Sequence, residues 1–505
     1  MIDWEIFLKG LSLIASWKIL AFMSVGMFLG LIFGVIPGLT GSLCIAVLLP
    51  VTFLMDALTA LAFLTAVYTG GLTGGGITAI LINTPGTPGA VATTFDGYPM
   101  TKQGMQNEAL GLQVTSSVIG GLAGYVFLLF LINPLVKIAL GFGPSEMIFL
   151  TVLMLVIIGT LGGRSLSRTL MVGLFGLLLG TIGTSQATGL VRGTMGFEEL
   201  EDGIPSVALI IGMFAIPEML NLITRSFIVE ADVESRHNFR KFLSGMRTTF
   251  HYGRTLIRSA LTGISIGVLP GIGSTLGCLL SYAQAKRRAR PDQHFGEGEP
   301  EGIVAAETAN NASEGGAMGI LLALGIPGSG STAILIAAFM LHGMMPGPRL
   351  LKENGPLIYG LIAANIVQMF LLIFIAVFVA FYMGRVIFVP TRIIAPTLLS
   401  VMAIGAFSLR NLFFDVYLLF FFGVIAWFLR RSEFPIISFM IGVILGNRLD
   451  MEMYRYAILF GSDYSVFVRR PISAILLAII LFTLGMNIQR SWKKRHRKRE
   501  APEQG

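Results

Sequence analysis

Two cysteines, Cys44 and Cys278, are all that 505 residues carry. Both sit in apolar runs rather than polar loops, which excludes a disulfide-framed secreted domain and leaves them as packing residues. Charge is equally scarce: 13% of residues are Asp, Glu, Lys or Arg, against 54% hydrophobic. The longest polar stretches, 225–258, 286–302 and the tail after 489, are each too short to enclose a core of their own. There is no GxxxxGK[ST] loop for a nucleotide and no HExxH pair for zinc, and the five histidines are scattered, so those chemistries have no carrier. Asp3 and Glu5 stand where a secretory leader would be basic, and no small-residue cleavage site follows, so no removable signal peptide is read.

What the chain does have is apolar length. Runs of about twenty apolar residues recur, which is the signature of an all-α polytopic membrane protein. Sixty-one glycines suit close helix crossings and broken helices. The net charge of +8 does not point to nucleic acid, because the basic residues gather beside apolar segments as cytoplasmic flanks. Four Pro-Gly stretches interrupt these segments: Gly34 to Ser42, Asn83 to Ala90, Gly267 to Thr275, and Leu324 to Thr332. Proline removes a helical donor and glycine loosens the backbone, so each break frees peptide groups that hydrocarbon cannot satisfy.

The breaks recur in order. Pro37 answers to Pro270, Gly74 and Gly75 to Gly315 and Gly316, Pro85 to Pro327, Gly97 to Gly343, and more weakly Gly180 to Gly446 and Pro205 to Pro471. The reading is two structural repeats: 1–224 as the first membrane repeat, 225–258 as a charged cytoplasmic connector, 259–489 as the second repeat and 490–505 as a basic cytoplasmic tail. Arg254 and Arg258 precede the third break while Lys286, Arg287, Arg288 and Arg290 follow it, so both ends of that segment favour the cytoplasm, as in a hairpin. Around the first break stand only Lys18 before and Asp56 after, which suits a hairpin opening to the opposite side and hence inverted repeats. A Pro-kinked full span is the alternative. Paired broken helices in two halves point to a secondary transporter with its site at the repeat interface.

At each break, free N–H groups and a half-helix N-terminus suit an anion such as a carboxylate. The candidate substrate ligands are Gly38, Thr40 and Ser42; Asn83, Thr84, Gly86 and Thr87; Gly271, Gly273, Ser274 and Thr275; and Gly328, Ser329, Gly330, Ser331 and Thr332. Freed carbonyls at the same loops could hold a coupling sodium ion. Glu307, Asn310, Asn311 and Glu314 line one helical face, a costly stripe inside a bilayer. Asn310 and Asn311 are taken as candidate ligands; for the glutamates, a polar seam at the aqueous end of the helix is the competing reading. Glu146, Glu218, Arg410 and Asp415 border apolar segments as interfacial anchors or ion-pair members. No catalytic residue and no cofactor other than the coupling ion is read.

The motifs GVIPGLTGS, GGGITAILINTPGTPGA, FDGYPM, VLPGIGST, ETANNASEGGA, LGIPGSGSTA and HGMMPGPRL, in that order, resemble those of the large membrane subunit of the tripartite tricarboxylate transporter family, TctA. The likeness covers nearly the whole chain. It implies a multi-pass protein of the bacterial inner membrane that works with a small membrane subunit (TctB-like) and a periplasmic solute-binding protein (TctC-like) delivering citrate or another carboxylate. Import would draw on a sodium or proton gradient, by an alternating-access step. Gly76 and Thr84 depart from the family pattern. The rival readings are a non-transporting membrane scaffold that docks the binding protein and a membrane enzyme using Glu307 and Glu314.

Overall fold

A computed structural model describes residues 3–36, 39–161, 165–223, 238–270, 273–382 and 391–500. Helices dominate; the strands among the described residues form one short ribbon, Gly183–Thr184 against Val191–Arg192. Among the described residues five helices are long and apolar enough to cross a membrane, namely Trp17–Val35, Ala57–Ile82, Gln106–Leu140, Gly355–Phe381 and Phe413–Arg431. The protein is an all-α polytopic membrane protein. Its contacts divide it into two compact units, each drawing on both halves of the chain: Met1–Ala139 with Val207–Trp427, and Leu140–Ser206 with Phe428–Gly505.

All four breaks lie in the first unit. The Trp17–Val35 helix leads into the first, after which Thr40 caps the Gly41–Leu48 helix by accepting from the Leu43 N–H at 3.2 Å. A 3-10 turn, Leu49–Leu54, then delivers the chain to Asp56. Asp56 caps the Ala57–Ile82 helix through the Thr59 N–H at 3.1 Å and pairs with Lys18 at 2.9 Å. Lys18 begins the outgoing helix and Asp56 precedes the next one, so the chain between them folds back to its starting point. Around the third break the Gly253–Gly267 and Gly273–Lys286 helices run antiparallel, fixed by a 2.8 Å hydrogen bond between Ser259 and Ser281. The Pro300–Leu324 helix follows, its start tied to that of Gly253–Gly267 by Thr255 donating to Glu301 at 2.5 Å.

Both hairpins pack on their following helix through the same glycine contacts. A Cβ on Gly30 would fall 2.3 Å from the Val67 carbonyl oxygen and one on Gly34 2.3 Å from that of Gly71. In the second half Gly263 meets Ala309 and Gly267 meets Ser313, again at 2.3 Å. Gly74 approaches the Leu31 carbonyl as Gly316 approaches that of Ile264, at 2.4 and 2.3 Å. Gly74 thus occupies the register of Gly316, one residue from the pairing read in the sequence. Side chains at these positions would force the helices apart, so the small residues set the spacing. The two following helices also end alike, in left-handed residues: Asn83 at φ 55° and Gly325 at φ 71°.

The second unit is built on a parallel pair, Leu166–Leu179 and Ile436–Phe460, brought together where Cβ atoms on Gly176 and Gly180 would lie 2.2 Å from the carbonyls of Phe439 and Val443. Pro144–Leu161 is held to Pro471–Glu500 by the buried Glu146, which accepts from Arg470 at 2.7 Å and Ser473 at 2.6 Å. Arg192 ties the ribbon to Asp450 at 2.6 Å. Its guanidinium holds the Asp450 carboxyl below the usual carboxylate range.

Candidate functional site

The Ala57–Ile82 and Pro300–Leu324 helices cross in opposite directions. Thr69 donates to Glu314 at 2.6 Å, Thr73 to Asn311 at 3.0 Å, and a Cβ on Gly76 would lie 2.7 Å from Glu307 Oε1, so residue numbers rise along one helix as they fall along the other. This antiparallel crossing carries the break that ends each helix toward the hairpin of the other half.

At one end, the loop after Leu324 reaches the first hairpin. Ser331 and Ser42 hydroxyls lie 2.8 Å apart and Ser329 is 3.1 Å from the Tyr68 phenol. Ser329 and Thr332 also form a reciprocal cap for the Gly330–Leu341 helix, the Ser329 N–H donating to Thr332 at 2.8 Å and the Thr332 N–H to Ser329 at 3.2 Å. Gly330 stands beside Ser42, and Gly328 packs on Ala317 and Gly267.

At the other end, the loop after Ile82 reaches the second hairpin. Gly86 donates its N–H to the Gly75 carbonyl at 3.2 Å, and a Cβ on Gly86 would fall 1.9 Å from the Gly34 carbonyl oxygen. Thr87 is buried and its hydroxyl has no hydrogen-bond partner. A Cβ on Gly89 would lie 2.1 Å from Asn310 Oδ1 and 3.3 Å from Ser274, so glycine alone lets these three meet. Asn310 is 0% exposed; its carboxamide lies within reach of Glu307 but makes no well-formed hydrogen bond. Gly273, which begins the hairpin's returning helix, abuts Gly267, and Thr275 lies half-buried beside Ser274.

The candidates therefore fall into two groups, Thr40, Ser42, Ser329, Gly330, Ser331 and Thr332 at one end and Thr87, Ser274 and Asn310 at the other. Asn83 and Thr84 are exposed, Thr84 donating to the Ile82 carbonyl at 3.3 Å. Both ends of the Asn311 side chain are engaged, by Thr73 and by the Glu307 carbonyl at 3.3 Å. Gly38 and Gly271 lie outside the described residues.

Between the two ends runs a buried polar seam. Glu307 accepts from Thr93 at 2.5 Å and Ser117 at 3.1 Å; Glu314 accepts from Thr69 and, at 3.1 Å, Tyr125. Both glutamates are 0% exposed, so Glu307 is enclosed rather than at an aqueous helix end. Among the described residues neither forms an ion pair. Gln113 bonds the Thr73 carbonyl at 2.8 Å and Gln368 the Thr69 hydroxyl at 2.8 Å. The space left by Gly76 admits Glu307 and Gln113 together. Thr69, Gln113, Tyr125 and Gln368 were not singled out in the sequence; a polar residue recurring at fourth positions in apolar runs, as in Thr69–Thr73 and Gln113–Ser117, is the signal that marks the first two, and Tyr125 and Gln368 carry none.

Asp96 of the FDGYPM stretch has a different task. It accepts from Tyr282 at 2.9 Å and from the N–H groups of Gly296, Gly298 and Glu299 at 2.7 to 3.0 Å, pinning the loop before the Pro300–Leu324 helix. Elsewhere Glu146 pairs with Arg470, and Arg410 with Asp415.

Comparison with known proteins follows the same lines. An uncharacterized 52.8 kDa protein of the TAR-I ttuC′ 3′ region of Agrobacterium vitis is 33% identical over 462 residues, covering 90% of each chain. A protein of the TAR-II ttuC′ 3′ region of the same organism is 32% identical over 217 residues, 43% of this chain and 90% of its own. No solved structure matches. The tripartite tricarboxylate transporter TctA family matches residues 20–441, and with them all four breaks and the polar seam. The chain belongs to the tripartite tricarboxylate transporter TctA family, and is a transport component of a multi-subunit system rather than an enzyme.

Proposed function

We propose that this chain is the large permease of a binding-protein-dependent secondary transporter that imports tricarboxylates of the citrate type or related organic carboxylates across the bacterial inner membrane. The observation that carries the reading is Asn310, a fully buried carboxamide beside Glu307 that makes no well-formed hydrogen bond, set where the Thr87–Gly89 loop meets the start of the Gly273–Lys286 helix. A buried amide in that condition is expensive unless something else bonds it. Its surroundings supply N–H groups at helix starts and hydroxyls, which stabilise a carboxylate without burying a lysine or arginine.

The recurring glycine contacts and the antiparallel crossing support an inverted two-repeat core. Exchange of access then follows from movement of the broken-helix core, with a small membrane subunit and a periplasmic solute-binding protein as partners and a sodium or proton gradient as drive. The test is uptake of labelled citrate and a dicarboxylate panel into vesicles holding the chain and its small subunit, with and without binding protein and with either gradient. Uptake requiring both binding protein and gradient is the expected result. Docking of the binding protein with no uptake of any panel member would favour the scaffold reading instead.

A further inference from the structure

We infer that Glu314 is the group through which a proton is carried in step with the substrate; this rests on the transport reading above. Thr69 and Tyr125 both donate to Oε2 of Glu314, whereas Oε1 is buried without a partner. Behind Thr69 stands Gln368, 0% exposed, donating its amide to the Thr69 hydroxyl at 2.8 Å while its own carbonyl oxygen is also unpartnered. The pocket thus offers one oxygen fully supplied with donors and another waiting for a hydrogen. A carboxylate in a membrane interior with no cation beside it costs several kcal/mol. A single proton on Oε1 removes that charge.

The groups facing Glu314 are few. From the Ala57–Ile82 helix come Thr69 and the Tyr68 phenol, from Gln106–Leu140 the Tyr125 phenol, and from Gly355–Tyr382 the uncharged Gln368. On its own helix the next ionisable residue is Glu307, two turns away and bonded by Thr93 and Ser117. From the Gly273–Lys286 helix Cys278 lies within electrostatic reach of Glu307, and Tyr282 bonds Asp96. The described residues make no ion pair with Glu314.

The seam is also wired to a break. Thr69, which holds Glu314, adjoins Tyr68, whose hydroxyl is 3.1 Å from Ser329 in the fourth break. Loading or emptying Glu314 therefore acts on the helix turn that touches a candidate substrate loop. The carboxylate takes one proton from one aqueous compartment and yields it to the other.

Two measurements on the full chain in lipid nanodiscs or vesicles decide the matter. Infrared difference spectra at neutral pH should show the carbonyl stretch of a buried neutral carboxylic acid, lost in Glu314→Gln, retained in Glu307→Gln and displaced in Tyr125→Phe. An identical band in wild type and Glu314→Gln, with no displacement in Tyr125→Phe, would overturn the assignment. In uptake, Glu314→Gln should lower proton-gradient-driven accumulation by about tenfold or more, and any remaining exchange should lose its pH dependence. Full gradient-driven accumulation in this variant, or drive by sodium alone, would also overturn it. If the wild type transports nothing, the transport reading fails, and the spectra still judge the proton on Glu314 by themselves.

Discussion

Glu146 and Glu314 are both fully buried glutamates on membrane helices, and they are treated in opposite ways. Glu146, in the second unit, meets the Arg470 guanidinium, the Ser473 and Ser145 hydroxyls and the Gly143 N–H, all within 3.1 Å. Glu314, in the first unit, meets two hydroxyls on one oxygen and nothing on the other. A carboxylate with a cation and three further donors is a rivet between helices, and removal of the cation leaves an unbalanced charge. One with hydroxyls alone is held in place but not neutralised. The lesson is that burial by itself does not mark a functional acid; the missing counter-charge does.

Breaking the rivet should have the largest effect. Arg470→Met should destabilise the protein by about 2–3 kcal/mol, because Glu146 is buried while the Arg470 side chain is partly exposed, seen as a drop in the thermal unfolding midpoint in detergent. Glu314→Gln should change that midpoint little, about 1 kcal/mol or less, because an uncharged amide replaces a group with no ionic partner. Equal losses in the two variants would erase the distinction.

Next come the glycine contacts beneath the seam. Gly34→Ala and Gly267→Ala each place a Cβ 2.3 Å from a backbone carbonyl oxygen that has no room to yield. Each should cost about 1–3 kcal/mol, and the two costs should agree if the hairpins are equivalent. Gly485→Ala in the second unit, where a Cβ would meet nothing within 4 Å, should cause no loss.

The smallest effect belongs to the Arg192–Asp450 pair, which is partly exposed. Because Arg192 lowers the Asp450 carboxyl in the folded state, the pair contributes above the ordinary aspartate range of about 4 and is lost as pH falls through and below it. The protection factors of amides in the 183–203 loop, taken against the intrinsic exchange rate at each pH, should therefore fall on acidification, by the equivalent of about 1 kcal/mol or less. Asp450→Asn should show that reduced protection at neutral pH already. An unchanged loop in both conditions would show that the pair anchors nothing.

Much of this arrangement could be read from residue order. Proline and glycine in apolar runs announce broken helices, and the left-handed ends at Asn83 and Gly325 fall where the motifs begin. Hydropathy scores hairpin and kinked span alike, and only the flanking charges favoured the hairpin; the Lys18–Asp56 and Ser259–Ser281 contacts agree with it, and these are properties of folded chain. The seam was half-legible. Glu307 and Glu314 stand out as charges and Thr69 by its spacing to Thr73, whereas Tyr125 and Gln368 lie on two other helices 189 and 54 residues away and pass as ordinary members of apolar runs. Nor does linear order reveal which candidate side chains serve the fold: Ser329 and Thr332 cap a helix and Asn311 braces a crossing, while Asn310, one residue earlier, is buried beside Glu307 without a well-formed hydrogen bond.

That neighbouring pair provides the most direct test of a carboxylate site at the meeting of the breaks. Equilibrium binding of the transported carboxylate to the purified membrane subunits should weaken by about tenfold or more in Asn310→Ala, the worth of a lost hydrogen bond to a charged group, with the unfolding midpoint essentially kept. Unchanged affinity in Asn310→Ala, alongside a normally folded protein, would contradict the account and move the substrate away from this junction.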